Sequence, residues 1–278
     1  MKRVLSVLAA IGIAAGMSAS ARAQWLNYPT PGLPRLGNGK PDLQAPVPRT
    51  SDGRPDLSGI WRNDCSRCRA DQRSLAFDLV KDLPAGAVQM TAWASAIQQQ
   101  RAKRERVDDP WGLCLPVGMP RADLLPSAFR IVNSSGLTVF LYENNSGQMF
   151  REVYTDGRPF PEIAEPAWLG YSVGRWDGDT FVIEATGFRD GGWMDNKGIP
   201  HSDALRLTER FHRINVGSME AAITIDDPKA YLKPFTVHAD FRLLADTALL
   251  ESSCDSHLKT MTHRLVEPAP PEPPSPHP

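Results

Sequence analysis

From residue 129 onward, apolar side chains recur at every second position in short runs: Phe129–Asn133, Leu137–Glu143, Gln148–Thr155, Tyr171–Arg175, Thr180–Thr186, Ala204–Arg213, Met219–Asp226, Phe235–Leu243 and Ala248–Cys254. Alternation of this kind marks strands with one face in a core. Ser134-Ser135-Gly136, Asn144-Asn145-Ser146-Gly147 and Trp176-Asp177-Gly178-Asp179 separate several of them and have the chemistry of tight hairpin turns. Leu57–Trp61 adds a first strand. A helical period shows once: Thr91 caps a run from Ala92 to about Arg106, with Trp93, Ala96, Ile97 and Gln100 on one side, stopped by Asp108-Asp109-Pro110. Prolines 110, 116, 120 and 126 keep the stretch after it irregular. About ten strands with no intervening helices predict an all-β fold, an antiparallel barrel or sandwich with one external helix.

The ends read differently. Of 25 prolines among 278 residues, seven fall between Tyr28 and Arg62 and seven between Glu267 and Pro278. Residues 24–56 are therefore expected as an extended arm, 57–266 as a single β-rich domain and 267–278 as a disordered tail. Inside the arm Gly39-Lys40-Pro41-Asp42-Leu43 recurs as Gly53-Arg54-Pro55-Asp56-Leu57. Two copies fall short of the three or so units that a stacked repeat needs.

Residues 1–23 have the form of an export leader: basic Lys2 and Arg3, the apolar run Val4–Met17, then Ala21-Arg22-Ala23 before a cleavage site at Gln24. This places the mature chain in the periplasm or outside the cell, and no later stretch approaches the ~20 apolar residues of a membrane helix. Removing Lys2, Arg3 and Arg22 from the 31 basic residues leaves 28 against 32 acidic ones, so there is no basic field for nucleic acid. In an oxidising compartment the four cysteines predict disulfides, Cys114 with Cys254 and Cys65 with Cys68, ahead of a zinc site or a redox centre.

Strand alternation singles out Glu209, which shares the apolar face of Leu205, Leu207 and Phe211. An inward carboxylate is either an ion-pair partner or a tuned acid or base. The glycine-rich loop 187–202 before it carries Trp193, Asp195 and His201 and is long enough to cover a barrel mouth. His201 is the candidate acid/base, with Asp195 or Glu209 to orient it or act as its counterpart; Tyr171, Trp193 and Arg158 are candidates for positioning a ligand. The bland reading gives His201 a surface place, Arg158 a turn and the aromatics the core. No serine-nucleophile elbow, phosphate loop, dinucleotide fingerprint or zincin motif occurs, and no metal or cofactor is expected.

Taken together, Gly53-Arg54-Pro55-Asp56-Leu57-Ser58-Gly59-Ile60-Trp61, Asp156-Gly157-Arg158, Gly174-Arg175-Trp176, Gly178-Asp179-Thr180, Pro200-His201-Ser202 and Thr208-Glu209-Arg210-Phe211 resemble motifs of a large group of exported bacterial β-rich proteins. The resemblance spans nearly the whole mature chain and implies no particular reaction. Phe160 and Arg206 stand where that group commonly has histidines, so no role of those histidines carries over. Gly59-Ile60-Trp61 is also similar to the first-strand Gly-x-Trp of lipocalins, which implies a lipocalin-like barrel. Two functions fit: a metal-independent lyase, isomerase or hydrolase acting on a small, partly apolar molecule, or a lipocalin-like binding protein without catalysis. A third places the proline-rich tail as an extended ligand for a partner groove. Oligomeric state is not encoded in these patterns.

Overall fold

The computed structural model describes residues 28–64, 78–104, 106–143, 149–162, 165–251, 254, 272 and 274–276. The leader, Cys65 and Cys68 lie outside them. Nine strands close into one barrel in chain order: β1 (Gly59–Asn63), β2 (Ala128–Ser134), β3 (Leu137–Tyr142), β4 (Met149–Tyr154), β5 (Tyr171–Asp177), β6 (Thr180–Thr186), β7 (Arg206–Arg213), β8 (Ser218–Asp226) and β9 (Phe235–Leu243). The all-β barrel is thus established. Closure corrects the expectation of a tenth strand at Ala248–Cys254. β9 already pairs with β1, Leu243 opposite Trp61, leaving no free edge. The described residues of that stretch are irregular, and the Leu250 amide donates instead to the Glu143 carboxylate at 3.0 Å.

The expectation of a wholly antiparallel sheet is also corrected. β4 and β5 run parallel and meet only at Val153 opposite Ser172 and Tyr154 opposite Val173. Residues 155–170 carry the chain back between them, a connection of the length that a parallel crossover needs.

Register sends one face of each strand inward. Ile183, Glu209, Ile223 and Val237 face one another across β6 to β9, as do Phe181, Phe211, Ala221 and Ala239. Aromatic rings fill much of the interior: Phe129 meets Phe241 edge-on at 5.4 Å and Phe140 at 5.9 Å, and Phe140 meets Phe211 at 5.8 Å. Burying each such ring contributes about 2–3 kcal/mol.

One end of the barrel carries a cap. Helix α1 (Ala92–Lys103) begins where expected, Thr91 Oγ1 accepting from the Ala94 amide at 3.3 Å, but stops short of Arg106. A 3₁₀ turn (Pro110–Leu113) and a one-turn helix α2 (Arg121–Leu124), buried throughout, follow in the stretch expected to be irregular. Among the described residues the single external helix is therefore two. Asn63 donates to the Leu124 carbonyl at 2.7 Å, seating α2 on the rim. The Cys114–Cys254 disulfide, expected from the sequence, joins this cap to the chain beyond β9, with Cα atoms 5.8 Å apart.

The arm closes the other end. Its echoed segments fold alike. In each, an arginine side chain donates to a glycine carbonyl four residues on, Arg35 to Gly39 at 3.0 Å and Arg49 to Gly53 at 2.8 Å. The two arginines then pair with different carboxylates, Asp246 and Asp179, both at 2.6 Å. The arm docks through the Val216 and Gly217 amides, which donate to the Ala45 and Leu43 carbonyls at 3.0 and 2.8 Å. A Cβ at Gly217 would lie 2.6 Å from Leu43 Cβ, so only glycine lets the arm this close. Arg213 covers the Trp61 ring at 4.8 Å and donates to the Asp56 and Val216 carbonyls; burial lowers its pKa to about 10. Among the described residues no helix is long and apolar enough to cross a membrane.

Candidate functional site

Glu209 points into the barrel, as its alternation predicts, and is fully buried. Its Oε2 accepts from Arg151, while Oε1 is buried without a hydrogen-bond partner. Arg151 reaches in from β4 by the same alternation, between Met149 and Val153. Its Nε donates to Ser172 Oγ at 2.9 Å, and its Nη1 lies 3.5 Å from Oδ2 of Asp123 on α2. Tyr142 donates to Asp123 Oδ1 at 2.6 Å. One guanidinium thus serves two buried carboxyl groups. Burial, followed by the nearby Glu209 charge, pushes Asp123 well above the ordinary carboxyl range, and Arg151 does not offset this. The proximity of Glu209 thus adds to the rise at Asp123. Burial and Asp123 likewise keep Tyr142 a neutral donor.

The cap loop uses its polar residues on itself. His201 is buried, and Nδ1 lies 3.0 Å from the Ser202 carbonyl oxygen, so Nδ1 carries the hydrogen and donates. Burial lowers its pKa and favours the neutral ring. Nε2 faces Gly192, where a Cβ would come within 1.9 Å, and the ring meets Phe188 edge-on at 6.0 Å. Asp195 accepts three amides, Lys197 at 2.8 Å and Ile199 at 3.0 Å on Oδ1 and Leu79 at 3.2 Å on Oδ2. Burial raises its pKa against those amides. Trp193 is buried beneath Arg101, 5.1 Å from its ring centroid.

The other two predicted residues lie elsewhere. Tyr171 stacks on Tyr154 at 5.2 Å, beside the parallel seam. Arg158 is exposed, paired with Asp156 at 2.6 Å and lying over the Tyr154 ring at 3.9 Å. No hydrogen bond or ring contact among the described residues joins His201, Asp195 and Glu209 to one another, or Tyr171 and Arg158 to Trp193.

Sequence reasoning missed Arg151, whose alternation was readable, and Asp123, whose surroundings carry no period. Asp227, just after β8, is a further buried acid outside the predicted set. Asp227 is buried and accepts from the Ser202 amide at 2.6 Å and hydroxyl at 2.8 Å, tying the cap loop to β8. Among the described residues no group of three His, Cys, Asp or Glu side chains is arranged to hold a metal.

A groove of about 920 Å³ opens at the arm end, between Tyr28–Pro34 and the outer side of β1 and β2. Its walls include Pro31, Leu33, Ile60, Val132 and Leu243. Arg130 also lines it, and its side chain makes no hydrogen bond or ion pair among the described residues. No protein-family model matches the chain, and a search of curated proteins finds no match.

Proposed function

We propose that this chain is an exported, lipocalin-like barrel that binds a small, largely apolar molecule carrying one anionic or carbonyl group, without catalysing its conversion. The observation that carries the reading is the groove beneath the arm. Its volume lies in the range of small-molecule sites, about 300–1,000 Å³, its walls are mostly apolar, and a guanidinium stands in it to fix orientation. The residues proposed for acid–base chemistry favour binding over turnover by being spent elsewhere: His201 on a carbonyl, Asp195 on three amides and Glu209 on Arg151. The leader-like pattern of residues 1–23 supports export, and the disulfide accords with it. Membership of the exported β-rich group belongs to the same proposal.

Titration with 1-anilinonaphthalene-8-sulfonate, an apolar anion whose fluorescence rises out of water, tests the site. Val132 is partly exposed in the groove wall, so Val132→Trp fills space without touching the core. Both Val132→Trp and Arg130→Gln are expected to weaken binding about tenfold or more, with unchanged melting. Binding by both variants equal to that of the wild type would refute the assignment.

A further inference from the structure

The tail expected to be disordered has two side chains seated on the cap. Glu272 meets Arg101 through two parallel bonds, Nε to Oε1 at 2.7 Å and Nη2 to Oε2 at 2.8 Å. Ser275 is buried and donates to Asp190 Oδ2 at 3.0 Å, with Asp203 Oδ1 at 3.5 Å. A polyproline helix has three residues per turn, so positions 272 and 275 fall on one edge. The alternation of exposure agrees: Pro274 and Pro276 are exposed on either side of Ser275.

The receiving surface also has contacts within the cap itself. Arg101 lies in the last turn of α1, where the helix dipole favours a cation. Its Nη1 donates to the Gly192 carbonyl at 3.0 Å and the Gly198 carbonyl at 3.4 Å, and its guanidinium lies over Trp193. Gly198, with φ +79°, lets the loop close on the arginine stem; a Cβ there would come within 2.8 Å of Arg101 Cβ. These contacts fix the plane of the guanidinium and aim Nε and Nη2 outward, the fork that a carboxylate fits. A buried guanidinium also demands a counter-charge, and on this face Glu272 supplies it. The prolines restrict the ligand's conformation before it binds, which reduces the entropy lost on docking.

We propose that Arg101 and the 187–203 loop form a receptor for an acidic, proline-rich extended segment with the pattern Glu-x-x-Ser. The chain's own Glu272 and Ser275 are its resident occupants, and a segment of the same pattern from another chain displaces them. The third reading of the tail thereby acquires a groove, on this same chain. This site shares no residue with the groove beneath the arm.

The test uses the full chain and a fluorescein-labelled peptide spanning Pro268–Pro278. Polarisation should show Glu272→Gln chains binding the peptide about tenfold or more tightly than wild type, whose own tail competes. A peptide with Gln in place of the glutamate should bind about tenfold or more weakly, and Arg101→Lys in the Glu272→Gln chain should remove binding by losing the fork. Equal binding by wild type and Glu272→Gln, or binding by neither, overturns the proposal. Should Glu272→Gln fail to fold, the wild-type chain decides: a peptide carrying a photo-reactive group at position 274, in excess, must cross-link within residues 187–203. Cross-links elsewhere, or none, overturn it equally.

Discussion

Two arginines are buried at opposite kinds of balance. Arg121, in the cap, gives Nη1 and Nη2 to the two oxygens of Asp109 at 2.7 and 2.8 Å, and Arg106 reaches the same carboxylate at 2.9 Å. Two cations there serve one anion. Arg151, in the barrel, serves two carboxyl groups, Glu209 and Asp123. The acids respond in opposite directions. Burial pushes Asp109 up, but Arg121 and Arg106 outweigh it and its pKa falls below the ordinary value. At Asp123 burial and the Glu209 charge add, and Arg151 cannot offset both. Equal burial therefore does not set the protonation state; the local ratio of cations to carboxyl groups does.

Removing Arg151 tests the cation-poor side and carries the largest expected effect. Arg151→Met keeps most of the volume but leaves Glu209 and Asp123 against Ile183, Ile223 and Phe140. Breaking a buried pair in this way costs about 3–5 kcal/mol. Urea midpoints should show that loss near neutral pH and a smaller one in acid, below the ordinary carboxyl range. A deficit unchanged between those conditions would mean that the carboxyl groups are not what Arg151 compensates.

Asp109→Asn tests the cation-rich side. It leaves the buried Arg121 with amide oxygens, Asn196 Oδ1 at 2.5 Å among them, in place of its carboxylate partner, at an expected cost of about 3 kcal/mol. Here the pH dependence comes from a depressed carboxyl pKa. A depressed folded pKa contributes stability above the unfolded value, and that contribution disappears as pH falls through the folded pKa. The gap between wild type and Asp109→Asn should therefore be full at neutral pH and close on the acid side of the ordinary carboxyl range. A gap that widens in acid would reverse the assignment.

The two sites also differ in how far the sequence announces them. Leu205, Leu207, Glu209 and Phe211 place a carboxylate inward by alternation alone, and Met149, Arg151 and Val153 offer the same signal for its partner. Asp123 sits in one buried helical turn amid prolines, where no period exists, and it reaches Arg151 only after the cap folds onto the rim. His201 and Asp195 announce chemistry by residue type, yet their geometry is set by carbonyls and amides that sequence patterns do not encode. The parallel seam escapes because the described residues of its crossover lack the helix that usually marks one. The arm is more legible than its two five-residue echoes suggest: Pro34-Arg35 and Pro48-Arg49 extend the repeat to the arginines that pin it.

The smallest effect distinguishes the two balances most directly. Asp123→Asn replaces a carboxyl group that holds a proton with an amide of the same shape. Its oxygen can accept from Tyr142 and its NH₂ can donate to Glu209, whose Oε1 is otherwise buried without a partner. Below the ordinary carboxyl range the two proteins should differ by about 1 kcal/mol or less. A raised folded pKa contributes stability that is present below the unfolded value and lost as pH rises through the folded one. The asparagine has no proton to lose, so the difference between variant and wild type should move in favour of the variant as pH rises. Comparing the two proteins at each pH cancels the carboxylates they share, Asp109 among them. A difference that stays flat from acid to neutral pH, or grows against the variant, would show that Asp123 is ionised beside Glu209, and the contrast between the two arginines would collapse.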